Sequence, residues 1–107
     1  MEVFQALAQP TRREILRMLA ADELSVGSVA ERFDVTQPAI SQHLKVLKET
    51  GLISERRDGT RHLYRVRPEG LSAMQSFLAE IIPPSLERLK QAAEEEERAG
   101  GPRASRN

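Results

Sequence analysis

Gln37, Ser41, Gln42, Lys45 and Lys48 all fall in the stretch VTQPAISQHLKVLKETGL, residues 35–52. None is a strong nucleophile, but the set suits recognition of nucleic acid. Gln pairs bidentately with adenine, Lys donates to guanine or to phosphate, and a Ser hydroxyl can take either role. Further along, Arg57 and Arg61 flank Asp58-Gly59; clustered guanidinium groups suit phosphate or minor-groove contact, although a solvated basic loop has the same composition.

Such side chains act together only if one element presents them. Thr36 is a good N-cap, Pro38 sits in the first turn where its missing amide costs nothing, and Gly51 is placed to end a helix in the left-handed region. The spacing predicts a helix over residues 37–50. At 100° per residue, Ile40, Leu44 and Leu47 fall within roughly 60° of one another and define a buried face. Gln37, Ser41, Gln42, Lys45, Lys48 and Glu49 then occupy the remaining arc. His43 lies on the flank, about 60° from Ile40, so both a packed role and a DNA contact stay open for it.

After Gly51 the pattern changes to LISERR, DGT and RHLYRVR. Asp-Gly between two such runs predicts a two-stranded β-ribbon with Arg57 and Arg61 beside its tip. His62 alternates with Tyr64 and Val66 against Arg61, Leu63 and Arg65, a wing position with no metal role.

The charge distribution agrees with this reading. The whole chain is formally neutral. Within residues 32–67, eight basic residues (Arg32, Lys45, Lys48, Arg56, Arg57, Arg61, Arg65, Arg67) face four acidic ones (Asp34, Glu49, Glu55, Asp58), a local surplus of four balanced by acidic flanks. A basic centre between acidic ends fits a local nucleic-acid footprint. The run Glu94–Glu97 reads as a solvated helix end, with suppression of nonspecific DNA binding as the lesser alternative.

Several function classes drop out. The chain has no cysteine, which removes disulfides, thiolate metal sites, a Cys nucleophile and thiol redox switching. Two separated histidines, no paired-carboxylate motif and no glycine-rich phosphate loop leave no basis for an enzyme or a cofactor. No run reaches the roughly 18 apolar residues of a membrane span, and no signal-peptide pattern opens the chain, so no membrane association and a cytoplasmic location are expected.

The remaining elements complete a domain. Val3, Phe4 and Leu7 have helical spacing; PTRREILRMLAA predicts a helix with a Thr11/Glu14 capping box and Ile15, Leu16 and Leu19 inward; SVGSVAERF predicts a short helix capped by Ser25. PEGLSAMQSFLAEII places Leu71, Met74, Leu78, Ile81 and Ile82 on one side of a helix that Pro83-Pro84 stops or kinks, and SLERLKQAAEEEERA can extend as a polar helix. With 107 residues, one domain over 1–98 is expected, with a disordered tail over 99–107. The element order is that of a winged helix-turn-helix: mainly α with a small β-hairpin. Val3, Phe4, Leu7, Leu71, Met74, Leu78 and Ile81 exceed what so small a core needs, which fits a two-fold interface between terminal helices; packing on their own domain is the alternative.

The segments ALAQPTRREILRML and LSVGSVAERFDVTQPAISQHLKVLKETGLISERRDGTRHLYRV resemble the ArsR/SmtB family of bacterial winged-helix repressors over residues 2–82. The resemblance implies a homodimer, built from the first and C-terminal helices, that occupies an inverted-repeat operator on double-stranded DNA and blocks transcription. The residues themselves give the expected DNA contacts, Thr36, Gln37, Ser41, Gln42, His43, Lys45, Lys48, Arg57 and Arg61, with Gln37, Ser41, Gln42 and Lys45 in the major groove and Lys48, Arg57 and Arg61 on the phosphate backbone.

The chain departs from the family's metal sensors. Where those carry a motif like ELCVCDL, this chain has ELSVGSV, with Ser25 and Gly27 at the thiolate positions; neither replaces a soft ligand. The family's other metal site needs a His on the C-terminal helices, and residues 68–98 contain none. The expected reading is a member without a metal site, an autorepressor or one answering to an organic ligand or partner protein; the effector is unknown. A MarR-like regulator is the runner-up, with longer flanking helices than this chain supplies, and a winged-helix protein-interaction module is the third reading. The latter would carry exposed apolar residues where Gln, Ser and Lys stand.

Overall fold

The computed structural model describes residues 1–98; the expected tail over 99–107 lies outside the described residues. Six α-helices, one 3-10 turn and three short strands follow one another: α1 (Val3–Leu7), α2 (Pro10–Ala21), β1 (Leu24–Ser25), α3 (Val26–Ala30), α4 (Gln37–Glu49), β2 (Ile53–Asp58), β3 (Arg61–Val66), the 3-10 turn Pro68–Leu71, α5 (Ser72–Ile81) and α6 (Pro84–Arg98). The chain divides into two compact units, one ending at Met74 and the other starting at Gln75.

The first unit holds the core. Ala6 of α1, Ile15, Met18 and Leu19 of α2, Val29 of α3, Ile40, Leu44 and Leu47 of α4, and Leu52 and Ile53 entering β2 are all buried against one another. Among the described residues no polar side chain is buried with them, so the core costs no unpaired polar group. Ile40, Leu44 and Leu47 are the face expected from the sequence. In α2, Met18 is buried and Leu16 only partly so.

Caps account for the helix limits. Glu2 and Gln5 form a reciprocal capping box at α1, with Gln5 N–H donating to Glu2 Oε2 at 3.2 Å and Glu2 N–H to Gln5 Oε1 at 3.1 Å. The capping box expected at Thr11 and Glu14 does not form. Helix α2 starts earlier because Pro10, with its fixed φ, occupies the first helical position; Gln9 is the cap and its Oε1 accepts from Thr11 N at 2.7 Å. Glu14 instead pairs with Arg17 at 2.7 Å. Ser25 caps α3 as expected, accepting from Ser28 N at 3.2 Å.

The ribbon has three strands rather than two. β3 pairs antiparallel with β2 on one side and, at Leu24↔Tyr64 and Ser25↔Leu63, with β1 on the other. A strand of two residues leaves no alternation to read in sequence. The turn is centred on Gly59-Thr60, since Asp58 pairs with Arg61 inside the ladder. Gly59 has φ +68° and Thr60 does not share the positive φ, the pattern of a turn with glycine at its first central position.

The apolar stripe assigned to a dimer interface is split. Val3, Leu7 and Leu71 pack partly against the core of the first unit, which is the alternative given above for them, and Met74 is half-buried. Phe4 stays 43% exposed. In the second unit, Leu78 and Ile81 of α5 are 41% and 58% exposed. The apolar segment from residue 68 begins as a 3-10 turn rather than as the helix itself, and Pro83 separates α5 from α6, with Pro84 as the first residue of α6.

Candidate nucleic-acid interface

Helix α4 is held from its two ends and its inner face. Thr36 Oγ1 accepts from Ala39 N at 3.3 Å, which satisfies a first-turn amide. At the other end Gly51 takes φ +81°, and Leu52 N–H donates to the Leu47 carbonyl at 2.9 Å, so the chain leaves the helix sharply toward β2. With Ile40, Leu44 and Leu47 buried, the orientation of the opposite face is fixed.

That face carries the expected residues. Gln37, Pro38, Ser41, Gln42 and Lys45 line one open hollow. All except Pro38 have polar side chains, which make no hydrogen bond or ion pair among the described residues. Their donors and acceptors are therefore available to an incoming surface. Thr36 is exposed beside them, but its oxygen already serves as the cap.

His43 and Lys48 are placed differently. His43 is half-buried and turned toward α2, with Nδ1 3.5 Å from Arg12 Nη1. Burial, and secondarily the Arg12 charge, holds its imidazole below the usual histidine range. Lys48 is exposed, yet its ammonium donates to Glu55 Oε1 at 2.6 Å. That bond raises the Lys48 pKa and lowers that of Glu55.

On the hairpin, Arg57 and Arg61 are both exposed and unpaired among the described residues. Arg57 sits opposite His62 and Arg61 opposite Asp58. By strand alternation Arg57 shares a face with Glu55, His62 and Tyr64, whereas Arg61 shares one with Arg56 and the buried Leu63. The tip thus presents one free guanidinium on each side.

Three further contacts escape the sequence reading. Arg56 forms a bidentate pair with Glu23, at 2.7 and 2.8 Å, which holds Glu23 below the usual carboxylate range and ties β2 to the segment before β1. Glu55 also bonds His62 Nδ1 and accepts from Tyr64 OH at 3.4 Å. Arg12 donates from Nε to the Ala6 carbonyl at 2.7 Å, joining the end of α1 to the His43 contact. Each of these partners lies on another part of the fold, and for Glu55 the strand spacing offers Arg57, two residues on, rather than Lys48, His62 or Tyr64. Among the described residues no group of three potential ligands is gathered for a metal ion, and no helix is long and apolar enough to cross a membrane.

Helix α4 thus has a buried inner face and an open polar outer face, and a basic hairpin follows it. Residues 9–55 match the family described as bacterial regulatory protein, arsR family. An HTH-type transcriptional regulator of Mycobacterium tuberculosis is 48% identical over 75 residues, covering 70% of this chain and 70% of that protein. The chain belongs to the ArsR family. The transcriptional repressor SdpR of Bacillus subtilis is 44% identical, covering 53% of this chain and 63% of that one. Among solved structures, the homodimeric winged helix-turn-helix DNA-binding domain of an ArsR-family candidate from Mycobacterium bovis superposes with a TM-score of 0.59 at 31% identity, covering 74% of this chain and 77% of that one. This ArsR protein is a winged helix-turn-helix DNA-binding transcriptional regulator and not an enzyme.

Proposed function

We propose that this ArsR protein is a homodimeric repressor that occupies an inverted-repeat operator and does not use a metal effector. Gln37, Ser41, Gln42 and Lys45 enter the major groove, and Arg57 and Arg61 hold the phosphate backbone. The observation that carries this reading is the open hollow lined by Gln37, Pro38, Ser41, Gln42 and Lys45 on the side of α4 opposite its buried face. A helix fits the major groove of B-DNA, and Gln and Lys supply its base-edge chemistry.

A dimer is supported by the homodimeric Mycobacterium bovis neighbour and by the exposed Leu78 and Ile81, which suit a two-fold contact between copies. It would set two reading helices about 34 Å apart in successive grooves. Independence from metal is supported at Ser25. Its oxygen accepts from Ser28 N and its hydroxyl donates to Ser28 Oγ at 3.2 Å, so the position where metal sensors have a thiolate works as a helix cap.

The test is fluorescence anisotropy of the purified protein with labelled duplex from upstream of its own gene and with a shuffled control, at physiological salt, with EDTA or added zinc. Selective binding that ignores both additions is expected. Binding that requires or is released by zinc would overturn metal independence. The absence of selective binding here and across genomic fragments would overturn the operator reading.

A further inference from the structure

Glu55 stands in β2 with its carboxylate between two elements of the DNA-binding surface. Oε1 accepts from Lys48 in the last turn of α4 at 2.6 Å. Oε2 bonds His62 Nδ1 and accepts from Tyr64 OH at 3.4 Å, both on β3. The Glu55 side chain is 17% exposed, against 55% for Lys48. One partly buried carboxylate thus gathers donors from the reading helix and from the far strand of the hairpin.

We propose that Glu55 is a positioning residue for DNA binding: it braces the hairpin against α4 through Lys48, whose ammonium serves as the brace rather than as a phosphate contact. The role rests on the DNA reading given above. An exposed lysine at the end of a reading helix is an obvious phosphate partner, and the sequence gives no reason to treat it otherwise. In the fold, however, transferring its ammonium to a phosphate would leave the Glu55 carboxylate facing the polyanion with less neutralisation, a like-charge and desolvation cost that offsets the new contact. Lys45, one turn earlier, has no such partner among the described residues and carries no comparable cost. With Lys48 engaged, the hairpin that bears Arg57 and Arg61 meets DNA already fixed relative to Gln37, Ser41 and Gln42, and the ordering cost of binding falls accordingly.

Charge alone and bracing predict opposite signs. Removing an acidic group near bound DNA should tighten binding to every duplex; removing a brace should weaken it on the preferred one. The experiment measures anisotropy across a salt series with the full chain and a duplex selected by the wild type from a random pool, against a shuffled duplex. Glu55→Gln, Lys48→Gln and the double variant are compared, with thermal midpoints recorded for each. Expected are a loss of about 5- to 10-fold on the selected duplex for each single variant, no loss for Glu55→Gln on the shuffled one, and a double variant no weaker than the worse single. The salt slope of Lys48→Gln should equal that of the wild type. The exchanged pair Lys48→Glu with Glu55→Lys should recover affinity relative to Lys48→Glu alone, which guards against a loss due to poor folding. A slope reduced by about one ion per subunit in Lys48→Gln would make Lys48 a phosphate contact. Tighter binding of Glu55→Gln to both duplexes would also overturn the brace. If the wild type selects no duplex, the DNA reading itself fails and this role goes with it; selection by the wild type with indifference to Glu55 sinks only the brace.

Discussion

Arg12 Nη1 lies 3.5 Å from His43 Nδ1, a contact that joins the first turn of α2 to the middle of α4. The same guanidinium donates from Nε to the Ala6 carbonyl at 2.7 Å and from Nη2 to the Gln5 carbonyl at 3.4 Å. Arginine has no acceptor, so His43 must offer an unprotonated Nδ1. The inner flank of α4 is thereby set by a residue that also receives the end of α1.

A pH dependence follows. Burial and the Arg12 charge lower the folded-state pKa of His43. The unfolded chain, with a histidine near pH 6.5, then binds more protons in the window just below that value. The stabilisation is complete above about 6.5 and is lost as pH falls through the lower folded value. Thermal midpoints recorded from about pH 7.5 down to 5.5 should drop further in the wild type than in His43→Gln. Parallel curves would show that His43 titrates alike in both states.

Arg61→Ala should weaken binding to selected and shuffled duplexes alike and reduce the slope of log affinity against log salt by about one ion per subunit. The measurement is anisotropy over a salt series. An unchanged slope would take the Arg61 face of the hairpin out of the contact set and leave Arg57 as the tip's phosphate ligand.

Gln42→Ala should behave differently because Gln42 lines the hollow on α4. A cost of about 1–3 kcal/mol is expected at particular base pairs and little elsewhere. Binding to a panel of single-base variants of the selected duplex reads this directly. A uniform loss over the panel would make Gln42 an anchor for the backbone.

The fold has a tight point where the chain returns from the hairpin. A Cβ built on Gly70 would come within 2.0 Å of the Gly51 carbonyl oxygen and 2.8 Å of its carbon. Both atoms are backbone and cannot rotate aside. Gly70→Ala should destabilise the protein by about 1–3 kcal/mol through overpacking, seen as a lower urea midpoint with an unchanged slope. Gly51→Ala should cost about 1 kcal/mol for a different reason, since φ is +81° there. A Gly70 variant as stable as the wild type would mean that the 3-10 turn shifts away freely.

Much of α4 was legible because its signals are local. Thr36, Pro38 and Gly51 mark its ends within the segment itself, and Ile40, Leu44 and Leu47 repeat at its own period. The hairpin was legible in outline, because Gly59 interrupts two runs of strand-forming residues. Strand β1 was not: pairing of two residues with β3 depends on where the whole chain goes. Gln9 as a cap was hidden by its type, since Ser, Thr, Asn and Asp dominate that position. The arc of α4 placed Lys48 and Lys45 alike, and only the fold separates them, through a carboxylate on a neighbouring strand. Arg12 and His43 stand 31 residues apart, beyond the reach of any periodicity.

The central position of β3 bears on how this surface could be re-engineered. With β2 on one side and β1 covering Leu63 and Tyr64 on the other, the hairpin is stitched to the rest by Glu23 through Arg56 and by Lys48 through Glu55. A hairpin transplanted into another regulator as residues 53–66 alone would arrive without its two moorings and without the strand that completes its sheet. The shortest segment that keeps both moorings and β1 runs from Glu23 to Val66, so α4 and the hairpin would have to be exchanged together, as one cassette.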